Sequence, residues 1–352
     1  RCAVRRPVDG CAWNIPGRRR VYRGATPYGE PIMPRKPSLS AIVFASLLGA
    51  AAAQWKVPVA ELTVQDGVVH HASGQSAHYG TFAKAAAGST PKDVLPKDRT
   101  AWTLIGKPAP RTDIPAKING SARFGIDVRL PGMLFAAVRQ SPLLGGTPGA
   151  VDAKAALAMP GVDQLVMLES MGGSTAGFAV VAKSTWHARQ AADAVQVQWQ
   201  QRAQGALDTQ RIQAEMQAQL KAEKGFTFYS KGDADKAEAA ATRRVEASYS
   251  APYLAHATME PMNCTAQVKD GTVEVWVPTQ APGMARAIAA KVAGVDADKV
   301  TLHVTLLGGG FGRRLDVDYV AQAVRVAMAC GGKPVQLVWS REEDTTHDFY
   351  RP

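Results

Sequence analysis

Three glycines in a row, an aromatic, a fourth glycine and two arginines are the residues of this sequence best suited to holding a ligand: Gly308, Gly309, Gly310, Phe311, Gly312, Arg313 and Arg314. Consecutive glycines cost backbone entropy on folding, so such a run needs a reason. One reason is a tight turn. Another is a bulky or anionic partner that must lie against bare main chain, with N–H groups pointing at it. An apolar, strand-like run over 300–307 feeds the glycines, and a helix pattern over 316–330 follows. Gln280 opens another helix pattern. A carboxamide donates without titrating, which suits a neutral polariser beside a charged centre, and it equally suits a bond to backbone at a helix start. His256 and Glu260 fall one turn apart if their stretch is helical, yet two ligands do not make a metal site. His347 is a candidate for a pocket rim, and His70 and His71 read as loop histidines.

Several chemistries are excluded. A dinucleotide fingerprint fails from Gly308, where Arg313 stands in place of the third glycine, and from Gly310, where Leu315 does. No Gly-Lys-Ser/Thr phosphate loop and no Gly-x-Ser-x-Gly elbow exists. The four cysteines, Cys2, Cys11, Cys264 and Cys330, have neither zinc nor iron–sulfur spacing. Cys264 and Cys330 sit in apolar surroundings, as core residues do. If the chain handles electrons, it carries no iron–sulfur cluster of its own.

The net charge of +11 is uneven. Residues 1–37 hold nine basic residues against Asp9 and Glu30, so +7 of the total lies there. A nucleic-acid reading would rest on that tail alone, with no aromatic-rich basic face behind it. The longest apolar run, 39–53, is too short and too rich in small residues for a membrane span, and reads as a buried helix capped by Ser38 or Ser40.

The elements that must position the candidate residues fall into four stretches. Residues 1–37 are an irregular basic segment. Residues 38–106 hold the helix to Trp55, a hairpin turning on Asp66-Gly67, a short helix over 79–87 and a linker. Residues 107–225 alternate strands and helices, an α/β pattern. Its expected strands are 125–130, 133–138, 165–168 and 178–182, with helices at 152–159, 184–195 (capped by Ser184) and 209–224. Residues 226–352 contain a short helix at 233–241, strands at 244–249, 264–269, 273–277, 300–307 and 335–339, and helices at 282–293 and 316–330. The fold class expected is a multidomain α+β and α/β protein.

Read together, these stretches resemble a known family. Thr279-Gln-Ala-Pro282, then Gly308-Gly-Gly-Phe-Gly312, then Gly332-Lys-Pro-Val-Gln-Leu-Val-Trp-Ser-Arg-Glu-Glu-Asp344 is similar to the molybdopterin-binding large subunit of the xanthine dehydrogenase and aldehyde oxidase family. Lys117-Ile-Asn-Gly-Ser-Ala-Arg-Phe-Gly125 with Leu130-Pro-Gly-Met-Leu134 resembles that family's hammerhead α/β domain, and His256-Ala-Thr-Met-Glu260-Pro its His-x-x-x-Glu-Pro stretch. Arg313-Arg314 after the glycines, and Thr345-Thr-His-Asp-Phe-Tyr-Arg-Pro352, resemble the isoquinoline 1-oxidoreductase β-subunit branch. The likeness covers 41–352, and the chain is expected to be an N-terminal part of such a subunit.

The resemblance implies a hammerhead domain over 107–225 and part of the first molybdopterin-binding domain over 226–352, with 38–106 part of a cofactor-binding domain. It implies oxidation of an N-heteroaromatic or aldehyde substrate with water as oxygen source. The cofactor implied is molybdopterin, in its cytosine dinucleotide form, with molybdenum held through the pterin dithiolene and not by protein ligands. The partners implied are a small [2Fe–2S] subunit and a cytochrome acceptor, in the periplasm or cytoplasm of a bacterium. Gln280 would polarise an oxo ligand, and Gly308, Gly309, Gly310, Phe311 and Gly312 would lie against the cofactor. Phe311 would wall the substrate channel or be a core aromatic. Arg313 and Arg314 would meet the cofactor's phosphate or form a solvated pair. Leu315 stands where a xanthine-type substrate carboxylate would fall. The family's general base, a late glutamate, has no counterpart in these residues, so the expectation is a chain that does not turn over alone. A non-catalytic cofactor-binding or scaffold role is the alternative.

Overall fold

The structure, a computed structural model, describes residues 39–91, 94, 99–203, 205, 207–220 and 225–351. The basic segment 1–37, with Cys2 and Cys11, lies outside the described residues. The chain forms two compact units, one ending at Pro110 and the other beginning at Arg111.

The first unit is a helix on a small sheet. Helix α1 (Leu39–Trp55) buries Leu47, Ala50, Ala51 and Ala52. Ser40 lies inside the helix, so it is not the cap; Ser38 is outside the described residues. Strands β1 (Thr63–Gln65), β2 (Val68–His70) and β3 (Ser76–His78) form an antiparallel meander. Asp66 and Gly67 take φ of 49° and 80° at its first turn, the left-handed pair that matches strand twist. Val69 and Phe82 are its buried anchors, and α2 (Ala83–Ala86) closes it. His70 ends β2, and His71 pairs with Glu61 at 2.9 Å. No helix among the described residues is long and apolar enough to cross a membrane.

The second unit is built on one seven-stranded sheet. After α3 (Ile114–Ile118) the chain lays down β4 (Leu134–Gln140), β5 (Thr147–Asp152), α4 (Lys154–Leu157), β6 (Val162–Leu168), β7 (Gly177–Ala182), α5 (Thr185–Ala194) and β8 (Gln196–Gln200). Helices α6 (Thr209–Leu220) and α7 (Ala234–Ala239) follow, then β9 (Asn263–Lys269), β10 (Thr272–Val277), α8 (Pro282–Ala293), β11 (Val300–Val304), α9 (Asp318–Met328), β12 (Val335–Val338) and α10 (Arg341–Thr346). The strand order is β11-β10-β9-β12-β4-β7-β6, while β5 and β8 pair separately. Strands from both sides of residue 225 therefore share one sheet. The last strand, β12, lies at its centre, antiparallel to β9 and parallel to β4.

Period-two alternation decides the two cores. Ala136, Val138, Ala179 and Val181 face α8 and α9, with Trp339 and Tyr319 in the same cluster. Ala137, Phe178, Val180 and Ala182 face the other way, onto α4 and α5. Ser184 caps α5 by accepting from His187 N.

Three expected strands change. The stretch 125–130 is a turn, because Gly125 is pressed against Pro278 and Asn263. Its carbonyls at 125, 126 and 128 are taken by the buried Gln336 carboxamide and not by a neighbouring strand. The stretch 244–249 alternates but is exposed and pairs with no strand among the described residues. Strand β11 stops at Val304, and Leu306 keeps only an isolated bridge to Phe124. The polar helix is described to Leu220, and 221–224 lie outside the described residues.

Candidate cofactor-binding loop

The loop leaves β11, crosses the ends of β9 and β10, and enters α9 through a 3-10 turn at Arg313–Leu315. Three left-handed residues shape it: Gly309 at φ 102°, Phe311 at 52° and Gly312 at 103°. Phe311 is strained there, since a Cβ disfavours that region.

The glycines have steric reasons. A Cβ at Gly308 would stand 2.4 Å from Glu260 Cβ, and one at Gly310 would stand 2.5 Å from Gln280 Oε1. Gly309 lies against Thr258, whose Cβ would be 3.3 Å away. The loop is thus pressed from behind by 258–260 and from one side by Gln280.

Its donors divide into used and unused. Gly308 N donates to Glu260 Oε2 at 2.8 Å, Gly312 N to Gln280 Oε1 at 3.1 Å and Arg313 N to Gly310 O at 2.8 Å. The N–H groups of Gly309, Gly310 and Phe311 have no acceptor among the described residues. Three consecutive unanswered donors, two of them on the left-handed residues Gly309 and Phe311, are a row of amides able to meet an anionic or oxygen-rich group. The Gln280 carboxamide is oriented at the same place. Its oxygen is taken by Gly312, so its nitrogen is the end left to donate, and the residue is exposed.

Arg313 and Arg314 do not face outward. They are 1% and 0% exposed. Arg314 donates to Gly309 O at 2.8 Å, Glu260 O at 2.7 Å, Pro278 O at 3.3 Å and Glu260 Oε2 at 3.1 Å. Arg313 forms a two-pronged pair with Asp318 at 3.0 and 2.8 Å and lies 3.3 Å from Asp348. Its guanidinium sits between the rings of Trp339 and Phe349, 5.4 and 5.1 Å from their centroids. Burial opposes its charge, but Asp318 and then Asp348 outweigh that and hold it above its ordinary value. The expected contact with a phosphate, and the expected solvated pair, are both corrected: every donor here is turned inward to brace the loop.

Glu260 is the hub behind the loop. Its buried carboxylate also accepts from Ile126 N at 2.9 Å and Asn263 Nδ2 at 3.0 Å. The stretch 256–260 is not helical, for Ala257 has φ 45°, so His256 and Glu260 are not a turn apart on one helix face. No group of three or more metal-ligating side chains exists among the described residues. His256 instead pairs with Asp348 at 2.8 Å. Phe311 is 75% exposed, which removes the core-aromatic alternative. His347 is no pocket rim. It is buried edge-on to Trp339 with Glu343 at 3.3 Å, and burial, helped by Arg313, holds its imidazole down to about 4. Burial also pushes Glu343 up to about 7, against the Gln140 N–H it accepts.

Sequence reading missed Asp318, Asp348 and Thr258. Asp318 opens α9 five residues after Arg313, a local signal. Asp348 lies 92 residues from His256, and no local pattern links them.

The fold is shared with solved structures. Quinoline 2-oxidoreductase from Pseudomonas putida 86 aligns at TM-score 0.51 and 21% identity over 66% of this chain and 34% of that one. Aldehyde oxidoreductase from Desulfovibrio desulfuricans aligns at TM-score 0.55 and 18% identity over 78% and 35%. Residues 190–352, which contain the loop and Gln280, match the molybdopterin cofactor-binding domain. By sequence the chain is similar to molybdopterin-binding subunits of the xanthine dehydrogenase and aldehyde oxidase family. Among these it is similar to isoquinoline 1-oxidoreductase subunit beta of Brevundimonas diminuta, 32% identical over 349 residues that cover 87% of this chain and 44% of that protein. It is also similar to a membrane-bound aldehyde dehydrogenase of Gluconacetobacter polyoxogenes, 31% identical over 82% of this chain and 39% of that one. The chain spans less than half the length of these curated relatives.

Proposed function

We propose that this chain is the cofactor-holding part of a molybdenum hydroxylase that oxidises an N-heteroaromatic compound or an aldehyde, with water as oxygen source. The observation that carries the reading is the row of unanswered donors at Gly309, Gly310 and Phe311 beside the oriented Gln280 carboxamide. The bare glycines keep Glu260 and Gln280 in place against the loop, because side chains at Gly308 and Gly310 would displace them.

When bound, the molybdenum cofactor supplies the redox centre. The three N–H groups would meet its electron-rich oxygen or sulfur atoms, in a setting where fixed dipoles need no reorganisation. Gln280 Nε2 would donate to an oxygen of the same group. Exposed Phe311 would present a ring against a flat or apolar substrate. Relatives named for isoquinoline, nicotinate and aldehyde support the substrate class. In the full assembly the cofactor would carry a cytosine dinucleotide tail, and electrons would leave through a small [2Fe–2S] subunit and then a cytochrome.

A second reading is favoured by one observation. The carboxylate that touches the loop, Glu260, accepts from four donors, so both its oxygens are committed to the frame behind the loop. These 352 residues would then bind the cofactor without turning over. Molybdenum by plasma mass spectrometry and pterin by fluorescence, on chain made in a host that synthesises the cofactor, test the binding. Stoichiometric metal and pterin are expected, and chain free of both would overturn the proposal. Turnover with a redox dye by such loaded chain would overturn the second reading.

A further inference from the structure

His256, Thr258 and Glu260 are alternate residues of one segment, and each stands against a glycine of the loop. Glu260 backs Gly308, Thr258 backs Gly309, and His256 Nε2 is 3.7 Å from where a Cβ of Gly312 would be, the nearest atom among the described residues apart from Gly312 and its chain neighbours. The first two are engaged with main chain: Thr258 Oγ1 donates to Glu260 O at 2.7 Å, and Glu260 accepts Gly308 N. The third is not. His256 Nε2 has no hydrogen-bond partner among the described residues, although its side chain is 9% exposed.

The other ring nitrogen is fixed. Asp348, 2% exposed, receives His256 Nδ1 at 2.8 Å and the His256 main-chain N–H at 2.5 Å, and lies 3.3 Å from Arg313 Nε. A carboxylate at Nδ1 holds the proton there, which leaves a lone pair on Nε2. The ring is thus set as an acceptor, aimed at the side-chain-free edge of a loop that offers three free N–H donors. Asp316, Asp318, Arg313 and Arg351 complete the charged surroundings of this corner.

We propose that His256 is a ligand-binding residue of the loop, accepting at Nε2 a hydrogen bond from an N–H donor of the pterin ring system, and that Asp348 is the positioning residue that keeps it an acceptor. The assignment rests on the functional reading above. It gives the loop a complementary chemistry: main-chain N–H groups for the ligand's electron-rich atoms, and one imidazole for its N–H edge. It also accounts for a buried aspartate shared between a histidine and an arginine that is already paired.

The test measures pterin and molybdenum per chain, with thermal midpoint, for wild type, His256→Phe, His256→Gln and Asp348→Asn. Loss of one hydrogen bond is expected to lower pterin content about fivefold at limiting cofactor in His256→Phe. His256→Gln, whose carboxamide reaches the same place with an acceptor oxygen, should restore most of it. In Asp348→Asn the new carboxamide would donate to Nδ1 and shift the proton to Nε2. That variant should lose pterin while the imidazole nitrogen shifts of labelled chain report the switched tautomer. A merely structural histidine would not produce that switch-linked loss or the glutamine rescue. Wild-type pterin content in His256→Phe, equal loss in the two His256 variants, or loss in Asp348→Asn without the tautomer change would each overturn the assignment. Wild-type chain free of pterin and metal would instead sink the functional reading on which the assignment rests.

Discussion

Glu260 and Gly308 hold each other twice: Glu260 N donates to Gly308 O at 3.0 Å, and Gly308 N donates back to Glu260 Oε2 at 2.8 Å. The carboxylate also neutralises Arg314, which is fully buried. Removing it leaves an uncompensated interior charge, for which breaking a buried pair costs about 3–5 kcal/mol. Glu260→Ala is expected to lower unfolding free energy by about that amount in urea titration. A loss below about 1 kcal/mol would show that water or another group replaces the carboxylate.

Two glycines of the loop separate stability from binding. At Gly308 an added Cβ meets Glu260 Cβ at 2.4 Å, close to the main chain, so Gly308→Ala should unfold several degrees early. At Gly310 the clash is with the movable end of Gln280 at 2.5 Å. Gly310→Ala should keep its thermal midpoint within a few degrees and yet lose molybdenum, because the carboxamide must turn away. Unchanged metal content in that variant counts against a cofactor-facing Gln280.

The Glu343–His347 pair predicts an unusual pH response. Glu343 is raised from 4.5 to about 7, so the unfolded chain releases its proton first and stability falls as pH rises through that window. His347 is lowered from 6.5 to about 4, so the unfolded chain takes up a proton first and stability falls as pH drops through that window. Between about 4.5 and 6.5 the two slopes oppose one another. Glu343→Gln removes one slope. Its stability relative to wild type should grow with pH across that window, by at most about 1.4 kcal/mol per pH unit. Parallel pH profiles for variant and wild type would refute the assignment.

Burial pushes the Cys264 thiol far above its ordinary value and that of Cys330 up to about 11. Both should resist alkylation at pH values near ~8 in the native chain and react fully in guanidinium, as peptide mass spectrometry can score residue by residue. Rapid native labelling of Cys264 would mean that β9 opens.

Much of this was legible in the sequence, and the rest was hidden for physical reasons. Helix α8 falls at its expected bounds because Pro282 fits its first turn and Gly294 its left-handed end. Strands β4, β7 and β12 announced themselves as apolar runs buried on both faces. Strand β5 did not, since Pro148 and Gly149 sit inside it, whereas β8, Gln196–Gln200, carries a clean alternation that could have been read. At the loop the glycines and Gln280 could be singled out by type. The inward turn of Arg314 could not, because the carboxylate that receives it lies 54 residues away, whereas for Arg313 the nearby Asp318 was a local signal.

The central place of β12 has a consequence for how the chain acquires its shape. Its neighbours β4 and β9 begin at residues 134 and 263, yet nothing joins them until residues 335–338 arrive. During synthesis both would wait as unpaired apolar edges, the condition that invites aggregation and chaperone capture. Closure across some two hundred residues is slow in entropic terms. The same step draws in Trp339 and Asp348, the groups that brace Arg313 and His256. The loop over 308–314 is therefore not fully braced until β12 has paired, which would make that pairing a checkpoint before any ligand can be received.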